Sequence, residues 1–63
     1  MKVLVVGSGG REHAICYSLL KEKKVDEIYC APGNAGISEI AQCLNIKDND
    51  IDNLYKFAKE NKV

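Results

Sequence analysis

The residues that could do chemistry sit in two short glycine-bearing stretches, Gly7-Ser8-Gly9-Gly10-Arg11-Glu12-His13 and Pro32-Gly33-Asn34. A glycine turn that opens a helix leaves unpaired N–H groups in the first helical turn. The helix dipole adds partial positive charge there, so the turn is an anion site. Gly9 and Gly10 would let a phosphate approach those amides, with Ser8 in the same nest and the Arg11 guanidinium as a further donor. The plainer alternative is a turn that needs glycine only for its geometry, and both readings can hold together. Arg11 could instead anchor another part of a larger protein. An exposed cation at the positive end of a helix breaks a local rule, which favours a functional role.

Glu12 suits a helix start electrostatically, and it could also hold a ligand's hydroxyls or orient Arg11. His13 lies beside the expected apolar stripe, so a packed, hydrogen-bonded imidazole competes with ligand contact. Pro32, Gly33 and Asn34 follow the second expected strand, at the same sheet edge as the glycine turn. The Asn34 amide has donor and acceptor groups that could reach a ligand, or cap the short turn after it.

The same residues narrow the ligand. A dinucleotide fingerprint needs a third glycine after Gly7 and Gly9, and that place holds Glu12. It also needs an acid at the end of the second strand, which reads Cys30-Ala31-Pro32, while Asp26 and Glu27 lie at its start. The phosphate-loop spacing G-x-x-x-x-G-K-[ST] is absent. Cys16, Cys30 and Cys43 are far apart, form no C-x-x-C pair, and read as small packing residues rather than nucleophiles. Tyr17, Tyr29 and Tyr55 read as packing residues, and His13 has no local partner for a metal. No residue makes a case as a catalytic acid, base or nucleophile.

The elements that must position these groups follow from the pattern. Lys2–Val6 is a continuous β-branched run, as expected of a strand buried on both faces. Arg11–Lys23 reads as a helix with Ile15, Cys16, Leu19 and Leu20 on one stripe, and Lys21, Lys23 and Lys24 near its carboxyl end. Glu27–Cys30 is a second strand, ended by Pro32-Gly33-Asn34-Ala35-Gly36 as a loop. Ile37–Ile40 forms one helical turn, and Ala41–Leu44 a weak third strand. Asp48-Asn49-Asp50 caps a last helix with Ile51, Leu54, Tyr55 and Ala58 on its stripe, Phe57 beside it and Asn61 at its end. The order β-α-β-β-α implies an α/β, Rossmann-like fold: a parallel sheet in three layers with right-handed crossovers.

The totals set bounds. The chain has 63 residues, so it is one small domain or part of one. A chain of this size buries only roughly 60% of its unfolded surface, and marginal stability is expected. Nine basic residues balance nine acidic ones, which gives no stripe for nucleic acid or for an anionic membrane. No apolar run reaches membrane-spanning length, and Val3–Val6 begins too early for a signal helix to precede it. Three cysteines without a secretory segment suggest reduced thiols in the cytoplasm.

Met1-Lys2-Val3-Leu4-Val5-Val6-Gly7-Ser8-Gly9-Gly10-Arg11-Glu12-His13-Ala14 closely resembles the opening of the glycinamide ribonucleotide synthetases, the phosphoribosylamine–glycine ligases of the ATP-grasp superfamily. Gly-Gly-Arg-Glu-His-Ala is the most distinctive part. Ala31-Pro32-Gly33-Asn34-Ala35-Gly36 is similar to that family's A-P-G-N-x-G loop. Leu54-Tyr55-Lys56-Phe57-Ala58 more weakly resembles the helix before its fourth strand. The resemblance covers all 63 residues but only about the first sixth of such an enzyme.

What the resemblance implies is a ligase that joins glycine to 5-phosphoribosylamine as ATP becomes ADP and phosphate, in de novo purine synthesis. ATP would phosphorylate the glycine carboxylate, and the substrate amine would attack the acyl phosphate. ATP and Mg²⁺ or Mn²⁺ would sit in domains absent here. Residues 1–63 would be the amino-terminal part of the pre-ATP-grasp, substrate-binding domain, inactive alone. Ser8, Gly9, Gly10, Arg11, Glu12, His13, Pro32, Gly33 and Asn34 would line the phosphoribosyl pocket.

Two rivals differ in class. One is the opening of a nicotinamide-dependent dehydrogenase, opposed by Glu12 and by the missing acid. The other is a self-sufficient regulatory module, opposed by a chain that stops where a fourth strand should begin. Truncation there would leave Lys2–Val6 with an open edge, through which the piece is expected to self-associate.

Overall fold

A computed structural model describes residues 1–63. Lys2–Gly7 forms β1, Gly10–Leu20 forms α1, and Glu27–Pro32 forms β2. A 3₁₀ turn at Ile37–Glu39 leads to β3, Gln42–Cys43, and Ile51–Glu60 forms α2. The three strands are parallel, in the order β1-β2-β3. The expected α/β order is therefore present.

Side chains alternate across the strands, and this divides the structure into layers. Val5, Ile28 and Cys30 face α1 and join Cys16 and Ile37 in the core, with Val3, Leu19, Val25, Ile40, Ala41 and Cys43 packed around them. Tyr29 points the other way and meets Phe57 of α2 edge-on, with ring centroids 4.9 Å apart. Leu54 of α2 is also buried. One helix thus covers each face of the sheet. Only 9 of the 63 residues are buried, so the core is small and each buried contact is a large share of the stability.

Asp50 caps α2 as expected, accepting from the Asn53 amide at 3.3 Å, and Asn61 is its C-cap. Four other details differ from the sequence reading. First, β2 does not end at Cys30; it runs through Pro32, which pairs with Gly7. Cys30 O accepts from Leu44 N on the β3 side, so Pro32, two residues on, turns its missing donor to that same side. β3 pairs only with Tyr29 and Cys30, so no ladder bond is lost at the proline.

Second, α1 ends at Leu20 rather than Lys23. The Met1 ammonium binds Lys24 O and the Asp26 carboxylate, and Asp26 N donates to Met1 O at 2.8 Å. These bonds pull the chain back to the sheet, so Lys21 is the cap and no cation stands in the last helical turn.

Third, the inward stripe of α1 is Glu12, His13, Cys16 and Leu19, while Ile15 and Leu20 are exposed. The two polar residues are turned in because the loops above the sheet engage them, and they set the rotation of the helix. Fourth, α2 turns Leu54, Phe57, Ala58 and Asn61 inward, and leaves Ile51 and Tyr55 in solvent.

β1 has a neighbour on one side only, and Val6 is 44% exposed. Unpaired strand edges recruit other strands. The isolated 63-residue chain is expected to self-associate, eluting earlier from a size-exclusion column as its concentration rises. A compact monomer at every concentration would count against this.

Candidate functional site

Parallel pairing of Gly7 with Pro32 brings the ends of β1 and β2 to one edge of the sheet. Both glycine-bearing loops leave from that edge, which is where open α/β sheets bind ligands. The loops are joined. Gly33 N donates to Gly7 O at 3.0 Å. Asn34 Nδ2 donates to Ser8 O at 2.6 Å, while Asn34 Oδ1 accepts from Ile37 N at 2.9 Å. Asn34 therefore caps the 3₁₀ turn and holds the first loop at the same time. The cap reading of Asn34 is present in the structure, together with a clip to Ser8 that no local pattern signals.

Backbone conformation explains two of the glycines. Gly7 has φ +142° and Gly33 has φ +73°, both unfavourable for residues with a side chain. Space is also lacking. A Cβ on Gly7 would fall 2.5 Å from the Glu12 side chain, and one on Gly33 would collide with Cys43 Sγ. The peptide between Ala31 and Pro32 is cis.

Glu12 folds back over the turn. Its Oε2 accepts from Gly9 N at 3.0 Å, the acidic half of a capping box; Gly9, the N-cap, has no side chain to return the bond. The Gly9 amide is therefore occupied from within the chain. Gly10, Arg11 and Glu12 are the first three helical residues, and their amides have no carbonyl one turn back to donate to. Gly10 and Arg11 are exposed, and the Arg11 guanidinium makes no ion pair. So the free donors of the site are the Gly10–Glu12 amides and the Arg11 side chain.

His13 is half-buried, and a Cβ on Gly36 would lie 3.1 Å from its Cε1. The imidazole thus packs on the second loop. Gly36 as the residue that makes room for it was missed; the last glycine of Ala31-Pro32-Gly33-Asn34-Ala35-Gly36 was the available signal. The structure brings Ser8, Gly9, Gly10, Arg11, Glu12, His13, Pro32, Gly33 and Asn34 to one edge. Asp26 and Glu27 sit at the opposite end of β2, held by the Met1 ammonium and by the Tyr29 hydroxyl.

Beneath the turn lies Cys30, whose thiol donates to Gly7 O at 3.4 Å. Burial, and then the neighbouring thiols, push its pKa up to about 11 from an ordinary 9.0. Burial raises Cys16 in the same direction. Buried thiols held neutral are poor nucleophiles, which agrees with their reading as packing residues. A thiol whose folded pKa exceeds its unfolded value stabilises the fold fully below the unfolded pKa. That contribution is lost as pH rises through the folded pKa. Stability should therefore fall as pH climbs from 9.0 towards about 11. Urea midpoints across that window test it, and a Cys30→Val variant should show a shallower decline. A midpoint that stays level in the parent would contradict the assignment.

The family model described as phosphoribosylglycinamide synthetase, N domain, matches residues 1–63. The chain is 57% identical over 63 residues to a phosphoribosylamine–glycine ligase of Caldanaerobacter subterraneus, covering all of this chain and 15% of that protein. It is 52% identical to the ligase of the same name from Halalkalibacterium halodurans, with the same coverage. It is also 43% identical over 67 residues to the trifunctional purine biosynthetic protein adenosine-3 of Drosophila melanogaster, covering 98% of this chain and 5% of that protein. The chain thus spans 15% of the length of the two bacterial relatives.

Proposed function

The chain belongs to the phosphoribosylglycinamide synthetase N-domain family, and from that premise we propose that it forms the phosphoribosyl-binding start of a phosphoribosylamine–glycine ligase. The reaction joins glycine to 5-phosphoribosylamine and turns ATP into ADP and phosphate. In this reading residues 1–63 bind and orient the amine substrate and perform no chemical step themselves.

One observation carries the binding role: the unsatisfied amides of Gly10, Arg11 and Glu12 point out of the sheet edge where both loops meet. A dianionic phosphate satisfies such amides and opposes the positive helix end. Arg11 adds a charged donor from the same turn, in bidentate geometry if the phosphate sits before it. Ser8 lines the approach. Asn34, His13, Pro32 and Gly33 form the wall on the ribose side, with Asn34 acting mainly through Ser8.

No group of three His, Cys, Asp or Glu side chains comes together to hold a metal ion. ATP and its metal ion belong, in this proposal, to the parts that the longer relatives have beyond this stretch. No helix is long and apolar enough to cross a membrane. The free thiols Cys16, Cys30 and Cys43 support a reducing cytoplasmic setting.

Kinetics of the full-length ligase test the reading. Losing one charged hydrogen-bond donor to a phosphate weakens binding by about ten- to a hundredfold. Arg11→Ala should raise KM for phosphoribosylamine by that factor and leave KM for ATP and for glycine unchanged. Arg11→Lys should recover part of the loss, because it restores the charge but not the planar fork. An unchanged KM for phosphoribosylamine in Arg11→Ala would contradict the role.

A further inference from the structure

We propose that Glu12 is a specificity-determining residue that makes the turn accept a single phosphate and reject a diphosphate. The inference rests on the phosphate-binding reading above. It assigns to Glu12 a task different from helix capping, ribose contact or orientation of Arg11.

A strand–glycine–helix turn offers an anion two things: a close approach over its second glycine and the amides that follow. Glu12 takes the first and part of the second. Its Cγ, Cδ and Oε1 lie 2.5 Å from the place where a Cβ of Gly7 would be, so the side chain fills the space over Gly7. Its Oε2 holds the Gly9 amide at 3.0 Å and lies 3.1 Å from the Cβ position of Gly9. A built-in carboxylate therefore already stands where the inner phosphate group of a diphosphate would need to rest.

The amides left over, on Gly10, Arg11 and Glu12, face outward and suit one phosphate. A second phosphate gains an amide only by entering over Gly9. There it meets the volume of Glu12 and a like charge within a few ångströms, and both oppose it. The residue that completes the helix cap thus also sets the reach of the site. Sugar monophosphates fit; sugar diphosphates do not.

The test compares ribose 5-phosphate with ribose 5-diphosphate as competitive inhibitors against phosphoribosylamine. It uses the full-length ligase at saturating ATP and glycine, so that only the sugar phosphate site is probed. The parent should prefer the monophosphate by at least about tenfold, the scale of one like-charge contact. Glu12→Ala should lower that preference by about fivefold or more through tighter binding of the diphosphate. Glu12→Gln keeps the volume and the acceptor for Gly9 but removes the charge, so it should lower the preference by about two- to threefold.

A parent that binds both esters equally overturns the proposal. So does a preference unchanged in both variants while ribose 5-phosphate still competes. If Glu12→Ala proves unfolded in a thermal melt, Glu12→Gln decides alone. Should ribose 5-phosphate fail to compete in the parent at all, the phosphate site itself falls, and this inference with it.

Discussion

The site depends on one side chain that holds two loops together. Asn34 spans from Ser8 O, 2.6 Å away, to Ile37 N at 2.9 Å, beside the backbone bond from Gly33 N to Gly7 O. The parallel register of β1 and β2 delivers both loops to the same edge. Asn34 then fixes their separation. Loops tied in this way present their donors in a set geometry, so little ordering remains to be done when a ligand arrives. The core beneath them is small, with 9 of 63 residues buried.

Electrostatics follows from the same arrangement. A helix start with three unsatisfied amides attracts negative charge. The chain answers part of that demand internally, with Glu12 on the Gly9 amide, and leaves the outer part open with Arg11 beside it. In a dinucleotide site the place of Glu12 is a glycine, and the backbone meets a pyrophosphate directly. Here the same turn is narrowed from within. The inward rotation of α1, which buries half of Glu12 and His13 and exposes Ile15 and Leu20, is the structural consequence.

Much of this was legible in the residues. The β-branched run Lys2–Val6, the glycine turn and the Asp50 cap each have a local cause, and each appears where that cause puts it. What was not legible had a distant cause. Pro32 reads locally as a strand end, yet it closes β2, because the side it cannot donate to faces past the end of β3. Ile15 and Tyr55 read as stripe residues by hydrophobicity, yet both are exposed, since tertiary contacts fix the rotation of each helix. The two roles of Asn34 could be named as cap or ligand from its chemistry alone. Its bond to Ser8 spans 26 residues, and no spacing rule predicts it.

In the proposed role the outer amides of the turn, not the inner one, receive the phosphate. Amide resonances of the full-length ligase, labelled with ¹⁵N at glycine and arginine and titrated with ribose 5-phosphate, test it most directly. The Gly10 and Arg11 resonances should shift and saturate together, while Gly9 stays nearly still because its proton remains with Glu12. A titration in which Gly9 moves and Gly10 and Arg11 do not, or in which the turn does not respond, would contradict it.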